Sequence, residues 1–124
     1  MPWDLDNYVD LGDSVTNMAN ANFSLEAWIK TTATSQGIIV KNNGDSSWET
    51  GEKSFYINDN NKVSFVGFSN SYITGTTDVN DDRWHHVAVI WDEDNGTGYI
   101  YVDGTDDTAA VPIRLTLRII ATTR

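Results

Sequence analysis

The sequence contains two histidines, the adjacent residues His85 and His86. Neighbouring side chains of a strand point to opposite faces, so these two imidazoles cannot easily hold one metal ion. The pair therefore predicts one histidine packed near the core and one hydrogen-bonded at the surface. A recognisable nucleophile to act with a histidine is missing, because the sequence has no cysteine and no Gly-x-Ser-x-Gly motif.

Carboxylates could support glycoside hydrolysis if two of them faced one cleft from a strand. Here Glu26 stands alone within a predicted strand, and residues 81–82 and 92–94 lie at strand ends beside turn residues. Counted from Asp92, the segment 92–96 (Asp-Glu-Asp-Asn-Gly) has its glycine at the fifth position and Asp103 at the twelfth, whereas an EF-hand loop requires Gly at the sixth and Glu at the twelfth. A hairpin turn explains this segment better, and the sequence predicts that the protein is not an enzyme.

Carbohydrate binding needs an exposed aromatic ring edged by amide or carboxylate groups. Trp48 lies in a polar stretch, residues 42–52, and Tyr72 follows Asn70 in a second polar stretch. These three residues are the candidate sugar-binding residues, with packing of Trp48 as the competing interpretation. The other tryptophans considered are interpreted as core or sheet-face residues, because aromatic side chains account for much of the burial in a sandwich. They are Trp28, Trp84 and Trp91.

Composition limits the class of protein. The 124 residues suit one domain, residues 1–124, and 40% apolar residues with five tryptophans indicate a folded core. A net charge of −10 argues against nucleic-acid binding and fits either a solvated acidic surface or bound divalent cations. No apolar run is long enough to span a membrane, and residues 1–6 lack the features of a signal peptide.

The elements that must position these side chains are strands. Alternating apolar and polar residues recur between Gly, Asn and Asp turns, and no segment has the apolar spacing of an amphipathic helix. Two turns are predicted at residues 59–61 and 95–96. The pattern favours an all-β sandwich or barrel. The predicted strands cover residues 23–30, 37–41, 53–58, 62–67, 84–91 and 99–102.

The segment 111–120 is an atypical C-terminal strand. Four apolar residues of this segment alternate with Arg114, Thr116 and Arg118. A strand with one apolar face needs a covering layer. The sequence therefore predicts a possible homodimer in which this strand completes the sandwich of a second copy.

Several motifs resemble the laminin G-like and pentraxin-like domains of the concanavalin A-like lectin/glucanase superfamily. The most specific are residues 23–29 (Phe-Ser-Leu-Glu-Ala-Trp-Ile) and residues 83–88 (Arg-Trp-His-His-Val-Ala), the latter followed by Tyr-Val-Asp-Gly at residues 101–104. Residues 7–12 and 37–41 are similar to further strands of the family. The resemblance covers residues 5–104. It implies an antiparallel two-sheet jelly-roll sandwich.

The family resemblance also implies a function. Such a domain is expected to be a non-catalytic recognition or adhesion module for carbohydrate or an extracellular protein, and an extracellular location follows from the family. Assembly by homodimerisation is the alternative, and a glycoside hydrolase fragment is disfavoured. Relatives that bind Ca²⁺ take ligands from the opening segment, here Asp4, Asp6 and Asn7. The family's closing strand is not matched by residues 112–124, so the sandwich is expected to be incomplete there.

Overall fold

A computed structural model describes residues 8–12, 18, 21–45, 47–49, 51–67 and 71–110. These residues form eight strands and no helix. The strands are β1 (Phe23–Ile29), β2 (Gln36–Lys41), β3 (Lys53–Ile57), β4 (Val63–Gly67), β5 (Ser71–Thr74), β6 (His85–Asp92), β7 (Thr97–Val102) and β8 (Thr105–Asp106). Accordingly, the described part of the chain has no helix that could cross a membrane.

The strands form two antiparallel four-stranded sheets. The first sheet has the order β1-β6-β7-β8 and the second sheet has the order β2-β3-β4-β5. In the second sheet, strands that are consecutive in the sequence pair with each other. In the first sheet, β1 pairs with β6, and the four strands of the second sheet lie between them in the sequence. The predicted all-β, antiparallel two-sheet sandwich is therefore confirmed.

The core lies between the two sheets and follows the two-residue period of the strands. Its central members are buried side chains from both sheets and from the segment before β6. They are Phe55, Ile57, Val63, Phe65, Val79, Val87, Val89, Ile100 and Val102. Alternate residues of β1 (Phe23, Leu25, Ala27 and Ile29) pack against this core but remain only half-buried.

Turn chemistry sets the hairpin registers at the predicted places. Asn61 adopts a φ of 67° between β3 and β4, and Gly96 adopts a φ of 58° between β6 and β7. The Asn58 carboxamide oxygen accepts hydrogen bonds from the backbone N–H groups of Asn60 and Lys62. Left-handed φ values favour Gly and Asn, which explains why these residues stand at the two turns.

The structure differs from the sequence-based expectations at several strands. β6 begins at His85, so Trp84 precedes the strand and is 64% exposed, which makes its interpretation as a core or sheet-face residue wrong. Trp91 is buried, and Trp28 lies on the outer side of the first sheet. β5 and β8 were not predicted, because they are short and contain polar residues. The predicted strand in 111–120 lies outside the described residues.

Candidate binding faces

His85 is held between two carboxylates at the start of β6. Its Nδ1 lies 2.8 Å from Asp103 Oδ2, and its Nε2 lies 2.8 Å from Asp81 Oδ1. Asp103 also accepts the backbone N–H of His86 through its other oxygen. Both ring nitrogens of His85 are thus occupied, so this buried imidazole has no nitrogen left for a metal. The prediction of one inner and one outer histidine is confirmed, since His86 is half-buried on the opposite face.

The His85 cluster shifts the pKa values of its members. The hydrogen bond to Asp103 raises the pKa of His85 above its ordinary value of 6.5, burial opposes this, and Asp81 adds to the rise. The same hydrogen bonds lower the pKa values of Asp81 and Asp103 below 3.8. The folded chain therefore favours a protonated imidazole between two ionised carboxylates.

We expect the stability of the protein to fall as the pH rises from 6.5 through the folded-state pKa of His85. A raised folded-state pKa contributes stability that is present below 6.5 and is lost above the shifted value. The loss should be about 0.5 to 1 kcal/mol, because both carboxylates are solvent-exposed and screened. Urea unfolding at several pH values measures this slope. A His85→Gln variant with an unchanged slope above pH 6.5 would contradict this explanation.

Two of the three residues predicted for sugar binding, Trp48 and Tyr72, lie toward the same end of the second sheet. Trp48 is 41% exposed and lies on the connection between β2 and β3. Tyr72 is 68% exposed and lies on β5. The connections β2–β3 and β4–β5 leave the sheet at one end, because Lys41 pairs with Lys53 and Gly67 pairs with Ser71. Asn70 lies outside the described residues.

The connection that carries Trp48 is fixed by a buried acid, Glu52. The Glu52 carboxylate accepts the backbone N–H of Asn43 at 3.1 Å and the backbone N–H of Glu49 at 3.0 Å. Glu52 is 8% exposed, so these two hydrogen bonds join the ends of the connection through a buried carboxyl group. This role could not be predicted from the sequence, because Glu52 is one of several polar residues in the stretch 42–52.

Exposed polar residues precede Trp48 in the same connection. Among them is Asp45, whose Oδ1 accepts both the backbone N–H and the hydroxyl of Ser47. These hydrogen bonds lower the pKa of Asp45, which therefore stays ionised. Tyr56 lies near Tyr72, and the pKa of its phenol is raised first by burial and then by Tyr72. We call Trp48, Tyr72 and the other described residues of the connection, 42–45, 47 and 49, the loop-end site.

The outer side of the first sheet carries a second group of exposed rings. Trp28 is 66% exposed, and its ring contacts the His86 ring edge-on at 5.3 Å between centroids. Ile90 and Tyr99 are directly paired across β6 and β7 and are 41% and 39% exposed. We call this surface the aromatic face. It comprises Glu26, Trp28, His86, Ile90, Tyr99 and Tyr101.

The calcium-binding prediction rests on residues near the start of the sequence. The candidate ligands Asp4, Asp6 and Asn7 lie outside them, so calcium binding through this segment stays a prediction. Within the described ranges, no group of three or more His, Asp or Glu side chains is placed to hold a metal. Asp92, which suggested a calcium loop, accepts hydrogen bonds from the Asn95 backbone and carboxamide, as expected for a hairpin turn.

Comparison with known proteins found one family. A laminin G-type family model, described as the Concanavalin A-like lectin/glucanases superfamily, matches residues 4–116. The match extends beyond Gly104, where the motif resemblance stops. No curated protein and no solved structure matches the chain.

Proposed function

Since the chain belongs to the concanavalin A-like lectin/glucanase superfamily, we propose that it is a non-catalytic carbohydrate-binding module whose ligand occupies the loop-end site. The observation that carries this proposal is the position of two exposed rings, Trp48 and Tyr72, at one end of the second sheet. Exposed aromatic rings with polar neighbours are typical of surfaces that recognise amphipathic ligands, because one ring face is apolar and its edge is wet.

The spacing of the two rings favours an oligosaccharide over a single sugar. The connection β2–β3 and the edge strand β5 are two to three strands apart in the second sheet. Neighbouring strands are separated by about 4.8 Å, so the strand ends that anchor the Trp48 connection lie about 10 to 14 Å from β5. The ionised Asp45 carboxylate supplies a hydrogen-bond acceptor for sugar hydroxyls on the same segment as Trp48.

The absence of carboxylates from the second sheet supports a non-catalytic role. Strands β2 to β5 contain no Asp or Glu. A glycosidase needs two carboxyl groups that flank the scissile bond. Glu52, just before β3, is buried and bonded to backbone amides, which leaves it unsuited to proton transfer with a ligand. Laminin G-like domains are generally non-catalytic and typically extracellular, which agrees with this proposal.

We expect Trp48→Ala and Tyr72→Ala each to weaken binding of a glycan ligand about tenfold. An exposed aromatic anchor of a binding site contributes on the order of 1 to 2 kcal/mol, which corresponds to about this factor. A glycan array identifies the ligand, and isothermal titration calorimetry measures the dissociation constant of each variant.

The matched control is Trp28→Ala, which removes an exposed tryptophan ring from the other sheet. It should leave glycan affinity within about twofold of the native value. If no glycan binds, or if Trp28→Ala weakens binding as much as Trp48→Ala and Tyr72→Ala do, the loop-end site is not the carbohydrate site.

A further inference from the structure

The aromatic face presents apolar rings to solvent on a surface that the proposed function does not use. Trp28 and Tyr99 lie on β1 and β7, with β6 between them, and Ile90 contributes a further exposed apolar side chain. Isolated apolar residues are common on protein surfaces, but several exposed apolar residues on one side of three neighbouring strands indicate an interaction surface. Interfaces are enriched in Trp and Tyr for the same reason.

Charge on the same side of the first sheet is mainly acidic, with His86 and the exposed Lys30, directly after β1, as the basic residues. Glu26, Asp92 and Asp106 occupy outward register positions, and β1, β6, β7 and β8 contain no lysine or arginine. Hydrogen bonds from Asn95 and Thr108 lower the pKa values of Asp92 and Asp106, so both stay ionised at neutral pH. The Glu26 carboxylate lies 3.4 Å from His86 Nε2, and its side chain is 74% exposed.

We propose that the aromatic face binds an arginine-containing, extended segment of a basic partner protein. A guanidinium group stacks on the faces of Trp and Tyr rings and forms paired hydrogen bonds with carboxylates. The aromatic face offers both, with Trp28 and Glu26 two residues apart on the same side of β1. The His86 ring packs against the edge of Trp28 and limits its rotation, which reduces the entropy lost on binding.

The negative net charge of the chain argues against nucleic acid, an anionic lipid surface or a second copy of the chain as the occupant. Nucleic acid and anionic lipid surfaces carry negative charge and are repelled by a chain with a net charge of −10. A second copy of this chain carries the same net charge, which opposes close contact between two such faces. A basic segment is the occupant whose charge complements the acidic surface.

The length of the occupant follows from the register. Trp28 is paired with His86 across β1 and β6. Tyr99 is paired with Ile90, which lies four residues further along β6. Two strand spacings and four residue rises place the backbones of Trp28 and Tyr99 about 17 Å apart, or about five residues of extended chain. Arginines at alternate positions of a seven-residue peptide would lie on one side and cover this distance.

The test uses the peptide acetyl-Arg-Ala-Arg-Ala-Arg-Ala-Arg-amide and the same peptide with glutamine at every arginine position. Calorimetry on the full chain should show one-to-one binding of the arginine peptide and none of the glutamine peptide. Trp28→Ala and Glu26→Gln should each raise the dissociation constant about five- to tenfold. Asp59→Asn is the matched control, because it removes the same charge from an exposed turn of the second sheet, and it should change the constant less than twofold.

Three results would overturn the proposal. The first is failure of the arginine peptide to bind, and the second is an equal loss of affinity in Glu26→Gln and Asp59→Asn, which would indicate general charge attraction. The third is a dimer in sedimentation equilibrium that Trp28→Ala converts to a monomer, which would make a second copy the occupant. Glycan binding by the loop-end site is measured separately, so failure of one proposal leaves the other testable.

Discussion

Replacing Asp107 by alanine should lower the free energy of unfolding by about 2 to 3 kcal/mol, because a buried carboxylate and its hydrogen bonds are lost together. Asp107 follows β8 and is 9% exposed. Its two oxygens accept the backbone N–H groups of Thr76 and Thr77 at 2.9 and 3.0 Å, and they also accept both threonine hydroxyls. The carboxylate thereby ties the end of the first sheet to the segment that follows β5.

The Asp107→Asn variant separates hydrogen bonding from simple packing. Asparagine keeps the shape of aspartate but replaces one acceptor oxygen with a donor that faces other donors. We expect it to lose about 1 to 2 kcal/mol, less than alanine loses. Urea unfolding monitored by tryptophan fluorescence measures both variants, and the neighbouring Asp106→Asn variant should leave the unfolding midpoint nearly unchanged because Asp106 is exposed. Equal stability of Asp107→Ala and the native chain would contradict the role assigned to this carboxylate.

Replacing Phe65 by alanine should cost about 3 to 5 kcal/mol, because it leaves a cavity at the centre of the core. Phe65 lies on β4, is 1% exposed and packs against the Phe23 ring of the other sheet at 5.8 Å between centroids. It is therefore one of the side chains that hold the two sheets together.

The size series at position 65 tests this explanation. Phe65→Leu keeps most of the buried volume and should cost clearly less than Phe65→Ala. Trp28→Ala removes a larger but exposed ring and should cost less than about 1 kcal/mol. Thermal and urea unfolding should show the largest loss of stability for Phe65→Ala, a smaller loss for Phe65→Leu and the smallest for Trp28→Ala. A loss for Trp28→Ala as large as that for Phe65→Ala would show that ring size, not burial, determines the cost.

The sequence was most informative where one strand has a regular alternation. The residues of β1 alternate as predicted, with Phe23, Leu25, Ala27 and Ile29 on the core side, because strand periodicity is a local property. The same alternation puts Trp28 on the opposite side of β1, but it could not tell which side of β6 is buried, because apolar residues stand on both sides of that strand. Trp91 faces the core and Trp28 faces solvent because β1 and β6 pair in one particular register, and this register depends on residues far apart in the sequence.

Polar clusters were harder to foresee than strands. The sequence predicted that one histidine lies inside, but the partners of His85 are Asp81 and Asp103, and Asp103 is brought close only when β7 pairs with β6. Asp107 and Thr76 similarly meet only when the two sheets pack. Residue type alone indicates Trp48 and Tyr72 as candidate sugar-binding residues, whereas their position at one end of the second sheet follows from the strand order.

The predicted residues outside the described part of the chain remain predictions. They include the calcium candidates Asp4, Asp6 and Asn7, the sugar-site residue Asn70 and the C-terminal strand in 111–120. Homodimerisation through that strand also stays a prediction.

The pairing of β1 with β6 has a consequence for synthesis on the ribosome. The second sheet is formed by consecutive strands, so its hairpins can assemble as soon as β5 has emerged. β1 is made first, yet its hydrogen-bonding partner in the first sheet is made only after the whole second sheet. The nascent chain therefore carries β1, with its apolar side, without its β6 partner while β2 to β5 are being synthesised, at the stage when strand edges are most prone to aggregate.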